Sequence, residues 1–205
     1  MIYDISQELL GCEVYPGDPA PKRDVVSSTA EGAKYNLSTL FLCAHNGTHV
    51  DAPFHFLQNG RTIDQLSLAK TVGKAFVAKH NGALNAADAE AILKRAAKID
   101  PEAARRILLK GELTVTEEAA EVFAKASVDL IGVESQSVGP ENAPMAVHLI
   151  LLGAEVVLLE GLRLGAVDGG VYLLFAAPIA VQGGDGAPCR AVLMDLDDEK
   201  KENKA

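Results

Sequence analysis

The sequence predicts a single α/β domain carrying mixed sheets. From residue 72 onward, short runs of Val, Leu and Ile alternate with amphipathic stretches, the order of strand–helix–strand units. Before residue 72 there are strand-like runs and turns without a helical period, so an all-strand section joins the parallel part. The chain has 205 residues, 48% of them hydrophobic, which suffices for one core, and no shift in composition divides it.

Residues 2–6 read as a short strand. Tyr15-Pro-Gly-Asp-Pro-Ala-Pro-Lys22 must be a loop, because its prolines and glycine break both regular patterns. A strand over 37–44 follows, then another over Val72–Lys79. A helix over 86–98 starts behind Asn85, whose side chain suits an N-cap. Arg106–Lys110 is a short apolar strand. The helix over 116–126 carries Ala119, Val122, Phe123 and Ala126 on one face. Residues 128–133 form a buried strand, 142–153 a helix apolar almost all round and ended by Gly153, and 155–160 a strand of Val and Leu. Strands over 171–176 and 191–195 flank a loop at 182–189. The domain is expected to span 1–196, with 197–205 a charged, solvated tail.

A net charge of −9 disfavours nucleic acid and anionic membrane surfaces as partners, since both need a cationic patch. It suits a soluble enzyme acting on a small-molecule substrate. Three cysteines, with no C-x-x-C spacing, favour a reducing compartment. The first residues lack a basic segment followed by an apolar one, and the apolar run at 143–159 is interrupted by His148, Gly153 and Glu155. A cytoplasmic location is expected.

Chemistry is concentrated in His45-Asn-Gly-Thr-His-Val-Asp-Ala-Pro-Phe-His55-Phe56, which holds three of the five histidines. In an extended chain His45, His49, Asp51 and His55 would share a side, but His45 and His55 would stand ~33 Å apart. The chain must therefore bend, and Gly47 and Pro53 permit it. His49 and Asp51 need no bend: ~7 Å between Cα atoms suits two ligands of one ion. Two further residues interrupt apolar elements, His148 and Glu160. A buried carboxylate is costly without a cation or strong donors, and strand ends are where α/β domains place ligands. Together these residues make the nitrogen and oxygen set of catalytic zinc or manganese, and two carboxylates permit bridging of two ions. Thr48 suits either orienting a ligand or a backbone bond at the bend. Cys43 reads as a small buried hydrophobe, Gly183-Gly-Asp-Gly as a tight turn that could lie near the site, and Asn46 has no assigned role.

HNGTHVDAPFHF resembles the HxGTHxDxPxHF signature of the cyclase-like metal-dependent hydrolases, the family of bacterial kynurenine formamidase and isatin hydrolase. The resemblance extends to Tyr15-Pro-Gly-Asp18, Ser137-Val138, the His148 and Glu160 pair, and Gly183-Gly-Asp-Gly-Ala-Pro188. It implies that His45, His49 and Asp51 bind one ion, that Asp51, His148 and Glu160 bind a second, with Glu160 reaching both, and that His55 moves protons. It also implies one or two divalent ions, a swivelling β/β/α three-layer arrangement and a homodimer. The expected reaction is hydrolysis of an amide carbon–nitrogen bond, in an N-formyl aromatic amine or a cyclic amide; the alternative is a non-hydrolytic cyclase or isomerase. This chain departs from the family pattern at Tyr15, where tryptophan is common, and at Glu134-Ser-Gln-Ser-Val-Gly139, where the pattern resembles Asp-Thr-x-Ser-Val-Asp. Tyr15, Glu134 and Ser135 are therefore expected to contact substrate.

Overall fold

The computed structural model describes residues 1–140 and 142–196, so the expected tail at 197–205 lies outside the described residues. The first strands are β1 (Ile2–Asp4), β2 (Lys22–Ser27), β3 (Leu37–Phe41), β4 (His49–Asp51), β5 (Val72–Lys79) and β6 (Gly82–Leu84). Then come α1 (Ala86–Ile99), β7 (Arg106–Lys110), β8 (Leu113–Val115), α2 (Glu117–Lys125) and β9 (Leu130–Val133). The chain continues through α3 (Met145–Gly153), β10 (Val157–Glu160), β11 (Gly170–Phe175), β12 (Gly186–Pro188) and β13 (Val192–Asp195).

Nine strands form one sheet in the order β1-β13-β11-β5-β7-β9-β10-β4-β12, while β2 pairs with β3 and β6 with β8. The centre β5-β7-β9-β10 is parallel and both flanks are antiparallel, so the sheet is mixed, as expected. Alternate residues of the central strands enter two cores. Phe76, Ile107, Leu109, Ile131 and Leu158 pack under the helices. Val77, Leu108, Leu130, Val157 and Leu159 pack on the opposite face with Val50, Leu174 and Leu193 from the flanks. Strands buried on both faces read as unbroken apolar runs, which made β7 and β10 visible in the sequence.

Residues from both ends of the sheet share the second core because the sheet curls. β12 and β13 stand seven strand positions apart in the sheet, a flat distance of ~34 Å. Only four residue steps separate Pro188 from Val192, and they span at most ~14 Å. The flanks must roll over the central strands, giving a helix layer, a central sheet layer and a second layer of strands.

Several boundaries move for local reasons. The strand expected to reach residue 44 stops at Phe41, because a turn follows in which Asn46 Oδ1 accepts the Cys43 N–H at 2.8 Å. α3 starts at Met145 because Pro144, which has no N–H to donate, takes the N-cap position. β10 starts at Val157, since Glu155 has φ +62°, outside extended geometry. The loop expected at 182–189 contains β12, which pairs with β4. Asn85 does cap α1, exchanging side-chain and backbone hydrogen bonds with Asp88.

Candidate active site

β4 has three residues, and the alternation of a strand decides their fates. Val50 enters the core beneath the sheet, while His49 and Asp51 point to the other side. Pairing with β10 sets His49 opposite Glu160 and Asp51 opposite Leu158. Opposed residues of an antiparallel pair share a face, and Leu158 faces the helices. His49, Asp51 and Glu160 therefore meet beneath α3, whose first turn brings in His148.

The bend required by the histidine spacing is made in two places. Gly47 has φ +65°, and after it the Thr48 hydroxyl donates to the Gly161 carbonyl at 2.7 Å and accepts the Gln7 N–H at 2.9 Å. Thr48 thus serves the bend rather than a ligand. Gly161, with φ +69°, lies so close that a Cβ there would meet the Gly47 oxygen at 2.3 Å. Beyond β4, a 3-10 turn at Pro53–His55 folds the chain back and brings the His45 and His55 rings to 4.0 Å between centroids. Asn46 ties this bend to the loop bearing Tyr15 and Asp18, donating to the Pro19 carbonyl at 3.2 Å.

His49, Asp51, His148 and Glu160 are each at most 3% exposed, so their charges must be met inside the protein. His49 Nδ1–H donates to the Gly47 carbonyl at 3.0 Å, and His148 Nδ1–H donates to the Pro144 carbonyl at 2.8 Å. In the neutral rings this leaves the Nε2 lone pairs facing carboxylate oxygens. His49 Nε2 is 3.3 Å from Asp51 Oδ1 and 3.5 Å from Glu160 Oε2. His148 Nε2 is 3.5 Å from Glu160 Oε1 and 3.7 Å from Asp51 Oδ2. Lone pairs facing carboxylates at these distances demand a positive charge between them.

The titration behaviour expresses the same demand. Burial disfavours a charged His49, yet hydrogen bonds to Asp51 and Glu160 hold it well above its ordinary value. Burial likewise opposes a charged Asp51, but His45 and His49 hold its carboxyl well below the usual range. Asp51 Oδ2 is buried without a hydrogen-bond partner, while Val138 N–H donates to Glu160 Oε1 at 2.7 Å. Ligand atoms of His49, Asp51 and Glu160 lie within 4.8 Å of one another, as do those of His45, Asp51 and His55. Imidazole and carboxylate donors with an orphaned buried oxygen fit a divalent metal ion.

Asp185 was missed in the sequence. The curl of the sheet sets its Oδ2 at 2.9 Å from His45 Nε2 and 3.4 Å from His55 Nδ1, while His45 Nδ1 faces Asp51 Oδ1 at 2.9 Å. Its signals were a carboxylate inside a Gly-Gly-Asp-Gly turn and the extension of the family resemblance to Gly183-Gly-Asp-Gly-Ala-Pro188. Burial pushes the His55 imidazole below its ordinary value, His45 and His148 acting the same way against the Asp51 and Asp185 carboxylates. Phe56 fixes both neighbouring rings, stacking on His148 at 4.6 Å and meeting His55 edge-on at 4.5 Å.

A cleft of about 220 Å³ opens onto the cluster past Tyr15, His55, Phe56 and Gln136. A neighbouring chamber of about 450 Å³ shares Tyr15, Gln136 and Ser137 as its walls. Tyr15 lines both the cleft and the chamber, while Ser135 lines the chamber and a further cavity shared with Glu134, but not the cleft, and donates its hydroxyl to the Ser137 carbonyl at 2.6 Å. Glu134 has a structural engagement instead. Its two carboxylate oxygens accept the N–H groups of Gly111 and Leu164, each at 2.7 Å, and it does not line the cleft at the cluster.

Residues 3–140 match the Cyclase family, a stretch that holds the whole histidine motif. The chain belongs to the Cyclase family. Among Cyclase-family relatives, kynurenine formamidase of Salinibacter ruber is 34% identical, with 96% of this chain and 99% of the relative covered. Kynurenine formamidase of Erythrobacter litoralis is 31% identical, with 96% and 95% covered. A solved structure described as a potential metal-dependent hydrolase with cyclase activity superposes with a TM-score of 0.77 at 27% identity, covering 96% of this chain and 98% of its own. An isatin hydrolase bound to the product analogue thioisatinate gives a TM-score of 0.79 with 94% and 91% covered, and at 18% identity it bears on the fold alone.

Proposed function

We infer that this chain is a metal-dependent amidohydrolase that cleaves a non-peptide carbon–nitrogen bond in a small molecule, with an N-formyl aromatic amine as the favoured substrate class. The observation that carries this is the pair of Nε2 lone pairs, on His49 and His148, turned by backbone carbonyls onto the Asp51 and Glu160 carboxylates. The relatives more than 30% identical over nearly the whole chain bear the name kynurenine formamidase, which favours hydrolysis over the non-hydrolytic cyclase or isomerase alternative.

His45, His49, Asp51, His148 and Glu160 would hold one or two divalent ions, zinc or manganese by the chemistry of the donors. An ion there would supply Lewis acidity, polarising a carbonyl and lowering the pKa of a water to ~7. The chain's own residues supply the rest. Asp185 beside His55 Nδ1 favours a proton on that nitrogen, which leaves Nε2 free to take a proton from water and return it to the departing nitrogen. Because burial lowers its pKa, His55 is in the neutral, accepting form at neutral pH. Tyr15 and Phe56 wall the cleft and exclude solvent from one side of the substrate.

Formate release from formanilide in ¹⁸O-labelled water tests this reading: label is expected in the formate, and its absence from all products would refute hydrolysis.

A homodimer is part of the same proposal. The β2–β3 hairpin exposes Val25, Val26, Leu37, Leu40 and Phe41, and a lone two-stranded hairpin is marginal in water. Over 22–41 it carries Lys22, Arg23 and Lys34 against Asp24 and Glu31, a positive balance on a chain of net charge −9. A second copy's acidic body complements it. A cytoplasmic location is supported by three cysteines that are all free. No helix among the described residues is long and apolar enough to cross a membrane.

A further inference from the structure

Between the cleft and the neighbouring chamber lie three buried polar atoms without a hydrogen-bond partner, Nε2 and Oε1 of Gln136 and Oγ of Ser137. Both residues line both cavities. The Gln136 amide also lies against the strand end that carries Glu160, since a Cβ on Gly161 would meet its Nε2 at 2.9 Å. A buried amide left unpaired is costly, and native structures rarely tolerate one without a reason. Both residues line the cleft and the chamber, so a side-chain rotation would carry these unpaired groups to a substrate that occupies the two cavities.

The charge of the lining narrows what they could bind. Beyond the histidine and carboxylate cluster, the cleft's charged lining is Asp18 and the chamber's is Glu13. Among the described residues no lysine or arginine lines either. Outside the cluster, a substrate carboxylate placed here would have Asp18 and Glu13 as its charged neighbours, and both repel it. A neutral amide would meet its complement, because a carboxamide offers two donors and an acceptor side by side and pairs with another amide through two hydrogen bonds.

We propose that Gln136 and Ser137 are specificity-determining residues that bind a neutral carboxamide-type group on the substrate, adjacent to the bond being cleaved. This deepens the amidohydrolase reading and rests on it for the identity of the reacting bond. Gln136 pairs with the group's N–H and C=O, and the Ser137 hydroxyl takes a further hydrogen bond. The aromatic body of the substrate lies beside Tyr15.

The test compares formanilide, 2-formamidobenzamide and 2-formamidobenzoate as substrates of the metal-loaded wild type, Gln136→Met and Ser137→Ala. Calorimetric binding of anthranilamide, aniline and anthranilate accompanies the kinetics. In the wild type, 2-formamidobenzamide is expected to have a KM about tenfold below that of the other two at comparable kcat, and anthranilamide to bind about tenfold tighter than aniline or anthranilate. Gln136→Met should shrink both preferences to about twofold, with Ser137→Ala intermediate. Preferences unchanged in a Gln136→Met protein of normal circular dichroism and metal content would overturn the proposal, as would a wild-type preference for the benzoate. If the wild type hydrolyses none of the three, the amidohydrolase reading falls, while the anthranilamide binding ratio still decides the role of Gln136.

Discussion

His55 and Asp185 are the residues at which binding and chemistry separate. His55 is more exposed than the buried four and touches the cleft, so His55→Ala is expected to retain metal and lower kcat about 10²–10⁴-fold, the usual contribution of a positioned proton carrier. An unaltered kcat with metal bound would remove His55 from that role. Asp185 acts through the imidazoles it touches, so Asp185→Asn should cost about 10–100-fold in kcat with little change in KM. Steady-state kinetics at saturating metal distinguishes this from a loss of substrate binding, which would raise KM alone. The difference in legibility between these residues is physical. His49 and Asp51 were readable because two residues of strand fix their separation without knowledge of the fold. Asp185 lies 140 residues beyond its partner His45, and only the curl of the sheet joins them. The hydrogen bonds of Glu134 were hidden for a related reason: the two backbone N–H groups that its carboxylate accepts come from distant segments.

At the scale of elements, the site depends on how closely the Gly47 turn packs on the end of β10. Gly161→Ala forces a Cβ toward the Gly47 oxygen at a position with φ +69°, and is expected to destabilise the protein by more than ~1 kcal/mol and to reduce metal affinity. Denaturant unfolding and metal titration read the two effects; full stability with native affinity would mean that the contact does not hold the site. The β2–β3 hairpin gives a second check. Leu40→Asp with Phe41→Asp should convert a dimer to a monomer in light scattering at micromolar concentration, whereas a monomeric wild type would contradict the dimer outright. The helices α1 and α2 and the strands β5 and β7 could be read from the sequence because caps, periodicity and apolar runs are local signals. β6, β8 and β12 could not. Each has three residues, and the partner strand rather than the residues themselves makes them strands.

The whole molecule concentrates five potential ligands and a proton carrier under one edge of a curled sheet, drawing on β4, α3 and β10 and on turns that the curl brings beside them. The α/β class followed from the alternation of runs, and the three-layer form from the family resemblance; no local pattern contained the rolling of the flanks, which follows from short connections between distant strand positions. The central claim is that buried imidazoles and carboxylates are arranged to hold a divalent ion that hydrolysis requires. It is tested most directly by titrating chelator-treated protein with zinc or manganese while measuring bound ion and formate released from formanilide in the same samples. Formate release should be negligible without ion, rise in proportion to bound ion and level off at one or two per chain. Turnover at full rate in the ion-free protein, or ion binding that leaves formate release at zero across the N-formyl aromatic amines, would contradict it.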